Sequence, residues 1–193
     1  MSTGPGRSAV LLDRDGVLTR EDEWVLRADQ VELLPGAAVG VRALNEAGIP
    51  VVVVTNQSAV ARGWIDESGL AEIHARLAAL LAEQGAHVDA IYACPHHPTE
   101  GAGPLRRDCD CRKPAPGLLL RAAREHGLDL ASSWMVGDAA RDVAAARAAG
   151  ARAALVLTGK GAAELPGIAP PPDLVAERLD AAVAAILALR QGR

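Results

Sequence analysis

Five short apolar runs recur along the chain, and between them the hydrophobic positions change to helical spacing. "AVLLD" from Ala9 and "PVVVVTN" from Pro50 carry almost no polar alternation, the pattern of strands buried on both faces of a parallel sheet. "AIYAC" from Ala90, "SWMVGD" from Ser133 and "RAALVL" from Arg152 are weaker members of the same series. Leu70, Ile73, Leu77, Leu80 and Leu81 follow a 3.6-residue period, so that segment reads as a helix laying one apolar stripe on the sheet. "GAAVGVRALNEAG" and "PGLLLRAAREHG" also read as helices, each ending at a glycine, Gly48 and Gly127, suited to a left-handed C-terminal position. A last helix is expected over Leu174 to Arg190, after the proline-rich "LPGIAPPPD" that cannot continue one. Strands alternating with helices predict a doubly wound α/β fold around a parallel sheet, with right-handed crossovers.

In such folds ligands lie beyond the carboxyl ends of the strands, so the residues after each run locate the site. The first run ends in Asp13-Arg14-Asp15-Gly16, the second in Thr55-Asn56-Gln57-Ser58, and the fourth in Gly137-Asp138 with Asp142 four residues on. The third ends at Cys94 and opens a cysteine-bearing segment at the same rim. Two carboxylates two residues apart on extended chain face one way, and Gly16 permits the turn after them. A lone Asp-Gly turn would read as solvated loop. The ordered set of DxDG, a strand ending in Thr, a lysine opening a helix, and GDxxxD points instead to phosphoryl transfer. That chemistry needs a carboxylate nucleophile, a second carboxyl for proton transfer, and a hydroxyl, a lysine and Mg2+ around the phosphoryl oxygens.

Length and composition narrow the classes. The 193 residues suit a single domain spanning 1–193, with 50% hydrophobic and 23% charged residues. A net charge of -4 argues against general nucleic-acid binding. No membrane span or signal-like apolar segment is visible, so a soluble, cytoplasmic protein is expected, and a monomer, since no exposed apolar helix demands a partner. All three cysteines fall in one segment. Cys94-Pro95-His96 and Cys109-Asp110-Cys111 form a CxH...CxC arrangement, four ligands with no open position, as in structural zinc sites. His97 is the alternative to His96. Zinc would staple the loop 94–111, which is rich in Gly and Pro.

The motifs "LLDRDGVL", "VVVVTNQS", "CRKP" and "MVGDAARD", in this order over nearly the whole chain, resemble the haloacid dehalogenase (HAD) superfamily of phosphatases. The resemblance implies Asp13 as nucleophile, Asp15 as general acid and then base, and Thr55 and Lys113 holding the transferring phosphoryl group. It also implies that Asp13, the Asp15 carbonyl and Asp138 bind Mg2+, with Asp142 in support or capping the helix that follows. "CPHHP", "CDCRKP", "TNQSAVARG" and "TGKG" further resemble the heptose 1,7-bisphosphate 7-phosphatase branch, which acts in nucleotide-activated heptose biosynthesis, and the related histidinol-phosphate phosphatases.

The implied substrate is a small sugar phosphate; histidinol phosphate or another phosphomonoester is the alternative, and a zinc-stapled binding module without catalysis is the competing class. The chain leaves no room for a separate cap domain. Enclosure then falls to the zinc loop and to "TREDEWVLR", with Arg112, Arg62, Asn56 and Trp24 as substrate contacts and Lys160 as either a contact or a solvated lysine. Two departures bear on substrate. Ala139 stands where the branch often has lysine, with Arg141 on a helix expected to point elsewhere, and Glu21, Asp22 and Glu23 make the first loop unusually acidic. His74 and His126 are expected to be solvated, and His87 to be a loop residue.

Overall fold

The computed structural model describes residues 6–20 and 24–191; the acidic stretch Glu21–Glu23 lies outside the described residues. Six parallel strands form one sheet: β1 (Val10–Leu12), β2 (Val51–Asn56), β3 (Ala90–Cys94), β4 (Trp134–Gly137), β5 (Arg152–Val156) and β6 (Leu174–Ala176). Their spatial order is β3-β2-β1-β4-β5-β6. Helices α1 (Ala37–Glu46), α2 (Glu67–Ala82), α3 (Gly117–His126), α4 (Ala140–Ala148), the single turn α5 (Gly161–Glu164) and α6 (Leu179–Gln191) connect or follow them. No helix among the described residues is long and apolar enough to cross a membrane.

The apolar runs form strands because both faces are covered. Side chains alternate across the sheet, so Val10, Leu12, Val51 and Val53 pack with α1, α2 and α6, while Leu11, Val52, Val54 and Met135 pack with α3 and α4. Ile73, Leu77 and Leu81 on α2 are fully buried, as their spacing predicts, and each such side chain contributes roughly 1.5–3 kcal/mol of transfer free energy. Gly48 and Gly127 take the left-handed conformation at the ends of their helices.

The sequence reading fails at residues 174–176. Leu174–Ala176 is a strand, not the first turn of the last helix, and it pairs with β5 through Ala154–Val156. Asp173 draws it there: its backbone N–H donates to the Ala153 carbonyl, and its side chain accepts from the Ala153 N–H at 2.8 Å. Three half-exposed residues beside a long helical pattern leave no period-2 signal.

The strand order reverses direction between β1 and β4, the switch point at which an open α/β sheet forms its ligand crevice. Asp13 follows β1 and Asp138 follows β4, so the two acids meet there. The long connections at this rim are residues 13–36 and 95–116; neither holds a separate cap domain among the described residues.

Candidate active site

Asp13 is buried and fixed at both oxygens. The Arg14 N–H donates to Oδ1 at 2.7 Å, and Lys113 Nζ lies 2.8 Å from Oδ2. The same ammonium lies 2.7 Å from Asp142 Oδ1. The other Asp142 oxygen accepts from the Ala139 N–H at 3.1 Å, so this acid both anchors the lysine and caps α4. Asp138 is fully buried, and its Oδ2 accepts from the Lys160 N–H at 2.9 Å. Gly16 turns with φ of 78° beneath it; a Cβ there would come within 2.1 Å of Asp138 Oδ2, so only glycine lets the loop after β1 close over this acid.

Oxygens of Asp13, Asp138 and Asp142 lie within 4.8 Å of one another, all on buried residues. Burial raises the Asp13 pKa, with Asp142 and Asp15 adding to it and Lys113 only partly offsetting it. The two acids keep Lys113 protonated, raising its pKa against the effect of burial. Three buried carboxylates against one ammonium leave an excess of negative charge that a hard divalent cation with oxygen ligands would neutralise, so the donor set fits Mg2+.

Asp15 is held quite differently. Arg14 grips it through Nε and Nη2 at 2.8 and 2.9 Å, Gln57 Nε2 donates to Oδ2 at 2.8 Å, and the Thr19 hydroxyl donates to Oδ1 at 3.1 Å. Burial would raise its pKa, but the Arg14 pair and these hydrogen bonds prevail and lower it. Gln57 also donates to Thr55 Oγ1 at 2.8 Å and accepts from Arg14 Nη2 at 2.9 Å. It therefore joins three of the site's side chains. Its position two residues after Thr55 is the one sequence signal that would have found it. Replacing Gln57 with Leu strands buried donors and acceptors at roughly 1–3 kcal/mol, and is expected to lower kcat about 100-fold with a smaller change in KM. Steady-state kinetics and thermal unfolding of the variant check this.

Asn56 reaches the rim but spends its amide on the backbone of Lys113, donating to the carbonyl and accepting from the N–H, both at 3.0 Å. In this arrangement it positions the lysine rather than presenting donors to a substrate. A cavity of about 430 Å³ opens above these groups, with Trp24, Arg62, Arg112, Arg141 and Lys160 around its mouth. Arg141 thus does not point elsewhere: α4 aims it into the cavity while Ala139 is buried beneath. Arg112 is anchored to the His96 carbonyl at 3.1 Å; burial, with the nearby Arg141 and Arg62, lowers its pKa. Three guanidiniums therefore converge on one opening.

His74 also departs from expectation. It is half-buried under the site, its Nε2 has no hydrogen-bond partner, and burial with the nearby Arg14 pushes its pKa down to about 4, which leaves it neutral. His126 is not simply solvated either: its Nε2 lies 3.0 Å from the Tyr92 hydroxyl.

The second cluster gathers Cys94, His96, Cys109 and Cys111. The sulfurs stand 3.3 to 3.6 Å apart, and His96 Nδ1 is 3.3 and 3.7 Å from Cys111 and Cys94. Zinc bonds of about 2.3 Å to sulfur and 2.0–2.1 Å to nitrogen give tetrahedron edges of about 3.8 and 3.6 Å, so these four residues could hold a zinc ion. Burial and the neighbouring sulfurs raise the Cys111 pKa, and burial raises that of Cys94; a cation is what lets three thiolates share the space. His97 turns away, accepting at Nδ1 from the N–H groups of Thr99 and Glu100.

A HAD-hydrolase-like family model matches residues 110–182. The D-glycero-beta-D-manno-heptose-1,7-bisphosphate 7-phosphatase of Pseudomonas aeruginosa is 41% identical over 94% of this chain and 98% of its own length. The chain belongs to this heptose-bisphosphate phosphatase family. The Escherichia coli member is 41% identical over 79% of this chain and 80% of its own. Among solved structures, the D,D-heptose 1,7-bisphosphate phosphatase of B. bronchiseptica, complexed with magnesium and phosphate, aligns with a TM-score of 0.85 and 39% identity over 94% of this chain and 99% of that one. The fold shared with that structure is the six-stranded parallel sheet described above, and in this chain it carries a HAD-type phosphatase site and a Cys/His cluster.

Proposed function

We propose that the protein removes the 7-phosphate of D-glycero-D-manno-heptose 1,7-bisphosphate through an aspartyl-phosphate on Asp13. The observation that carries this reading is the distribution of charge in the cavity. Asp13 lies at its base with Lys113 buried behind it, while Arg62, Arg112 and Arg141 line it further out, an arrangement suited to a substrate with phosphates at both ends. The full-length similarity to phosphatases named for the beta heptose bisphosphate supports the same substrate and anomer.

The 7-phosphate enters beside Asp13. One Asp13 oxygen attacks phosphorus, the phosphorus–oxygen bond to C7 breaks, and the leaving oxygen takes a proton. Lys113 and the Thr55 hydroxyl face the phosphoryl oxygens as charge moves onto them. Asp15 as held here is ionised, ready to take a proton from the water that hydrolyses the phospho-enzyme. For the first step its carboxyl must leave Arg14 and carry a proton. Asp13, the Asp15 carbonyl and Asp138 would hold Mg2+, which when bound withdraws charge from the phosphoryl oxygens.

Arg112, Arg62 and Trp24, already at the mouth, serve the rest of the sugar phosphate. Its product, a heptose 1-phosphate, is of the class a nucleotidyl transfer consumes. A cytoplasmic setting fits clustered free thiols, which need a reducing compartment. A monomer fits an exposed apolar surface made of the side chains Val39, Leu120, Val175 and Leu189, with Trp24 and Trp64 packed on Arg62.

Phosphate release across a panel of both heptose 1,7-bisphosphate anomers and histidinol phosphate tests the proposal. The beta bisphosphate is expected to have the highest kcat/KM. A higher value for histidinol phosphate would overturn the substrate assignment and leave the mechanism standing.

A further inference from the structure

At the mouth of the cavity the Arg62 guanidinium packs against two indoles, 5.2 Å from the ring centre of Trp24 and 5.0 Å from that of Trp64. The rings meet edge to face at 4.9 Å. With both ring centres to one side of it, the guanidinium is held by the indoles and keeps its N–H groups as the binding surface. Nη1 is held by the Glu100 carboxylate, and Nη2 lies 3.5 Å from His97 Nε2. Glu100 and His97 both belong to the zinc loop, which closes tightly here: a Cβ on Gly101 would come within 1.9 Å of the Ala61 carbonyl oxygen. Arg62 is thus fixed in place, while the carboxylate on it is half exposed. An ion pair with so solvated a partner is weak. A phosphate presents more charge and three oxygens to the N–H groups that Glu100 occupies.

We propose that Glu100 is an internal counter-ion that stands on Arg62 in place of the substrate's second phosphate, so that the Trp24–Arg62–Trp64 clasp engages only a distal group charged enough to displace it. This deepens the bisphosphate reading and rests on it. Glu100 and Trp64 are positioning residues, remote from the reacting phosphorus. Trp64 holds the plane of the guanidinium, and Glu100 sets the charge that a ligand must exceed. A sugar monophosphate, which has nothing to place on Arg62, leaves the Arg62–Glu100 pair intact.

The test is Glu100→Gln, assayed on the heptose 1,7-bisphosphate and on the heptose 7-phosphate, with zinc content measured to show that the loop is whole. The bisphosphate KM is expected to fall about threefold, the scale of one exposed charged competitor, with kcat unchanged and both constants for the monophosphate unchanged. Trp64→Leu is expected to raise the bisphosphate KM about threefold, and Trp64→Phe to restore it. An unchanged or raised bisphosphate KM in Glu100→Gln, or an equal shift for both substrates, overturns the proposal. If the unmodified protein turns over neither heptose phosphate, the bisphosphate reading fails and this proposal with it.

Discussion

Asp13→Asn is expected to lower phosphate release by about 10⁴-fold or more and to leave the fold intact. The amide keeps the shape of the side chain but cannot form the acyl-phosphate. Folding should survive because the carboxylate is not what holds the site together. Lys113 keeps its second partner, Asp142, at 2.7 Å, and the sheet around β1 is fixed by Leu11 and Leu12. The sign of the stability change follows from the raised Asp13 pKa. A group whose folded pKa lies above its unfolded value stabilises the fold when protonated, below the ordinary carboxylate range, and that contribution is lost as pH rises through the folded value. At neutral pH without Mg2+ the ionised carboxylate is therefore a cost, and the neutral amide should melt at or above the temperature of the unmodified protein. Phosphate release and thermal unfolding in chelator check the two halves separately. Turnover within about 100-fold of the unmodified protein would refute Asp13 as nucleophile. A collapsed fold would mean that its charge is structural.

Much of this site was legible in the sequence because its signals are local and sit at strand ends. DxDG, Thr55 and GDxxxD each end an apolar run, and Lys113 opens a helix at the close of the loop that follows the third run; the parallel sheet brings those strand ends to one rim. What stayed hidden depends on side-chain direction over longer distances. The spacing of Gln57 from Thr55 points to Thr55 alone, because Asp15 is 42 positions away, and Asn56 reads as a substrate contact because the backbone of Lys113, its partner, is 57 positions away. Arg141 was misplaced because a helix direction is set by where its strand ends: β4 stops at Gly137, and α4 starts with its first turn facing the cavity. The strand at 174–176 was lost because an edge strand of three residues owes its conformation to β5 and carries no pattern of its own. Trp64 and Glu100 come from loops far apart in the chain, and only the fold puts them on one guanidinium.

Removing Cys109, one of the four residues that could hold zinc, is expected to act on stability and catalysis together, which separates it from Asp13→Asn. From Pro98 to Pro104 the loop is exposed at every residue, so it buries almost nothing that could offset the entropy of ordering it. Its regular structure is a single 3-10 turn at Gly103–Leu105 and an isolated bridge between His97 and Arg106. Beyond the Arg62–Glu100 pair and a few backbone hydrogen bonds, order must come from the four-ligand cluster. One residue separates Cys111 from Lys113, and the Gly117 N–H ties back to the Asp110 carbonyl at 2.8 Å, so the cluster and the start of α3 set the path of the lysine's backbone from one side. Asn56 sets it from the other. Cys109→Ser should therefore lose its zinc, from about one ion per chain, and unfold about 6–12 °C lower, as expected for a loss of about 3 kcal/mol in a chain of this size. With Arg112 and Lys113 held only from the Asn56 side, kcat/KM should fall at least about 100-fold, and added Mg2+ should not restore it. Metal analysis, thermal unfolding and kinetics on one preparation give the answer. A zinc-free variant with unchanged melting and unchanged kcat/KM would show that the cysteines do not shape the loop, and that Asn56 alone is enough to place the lysine against Asp13.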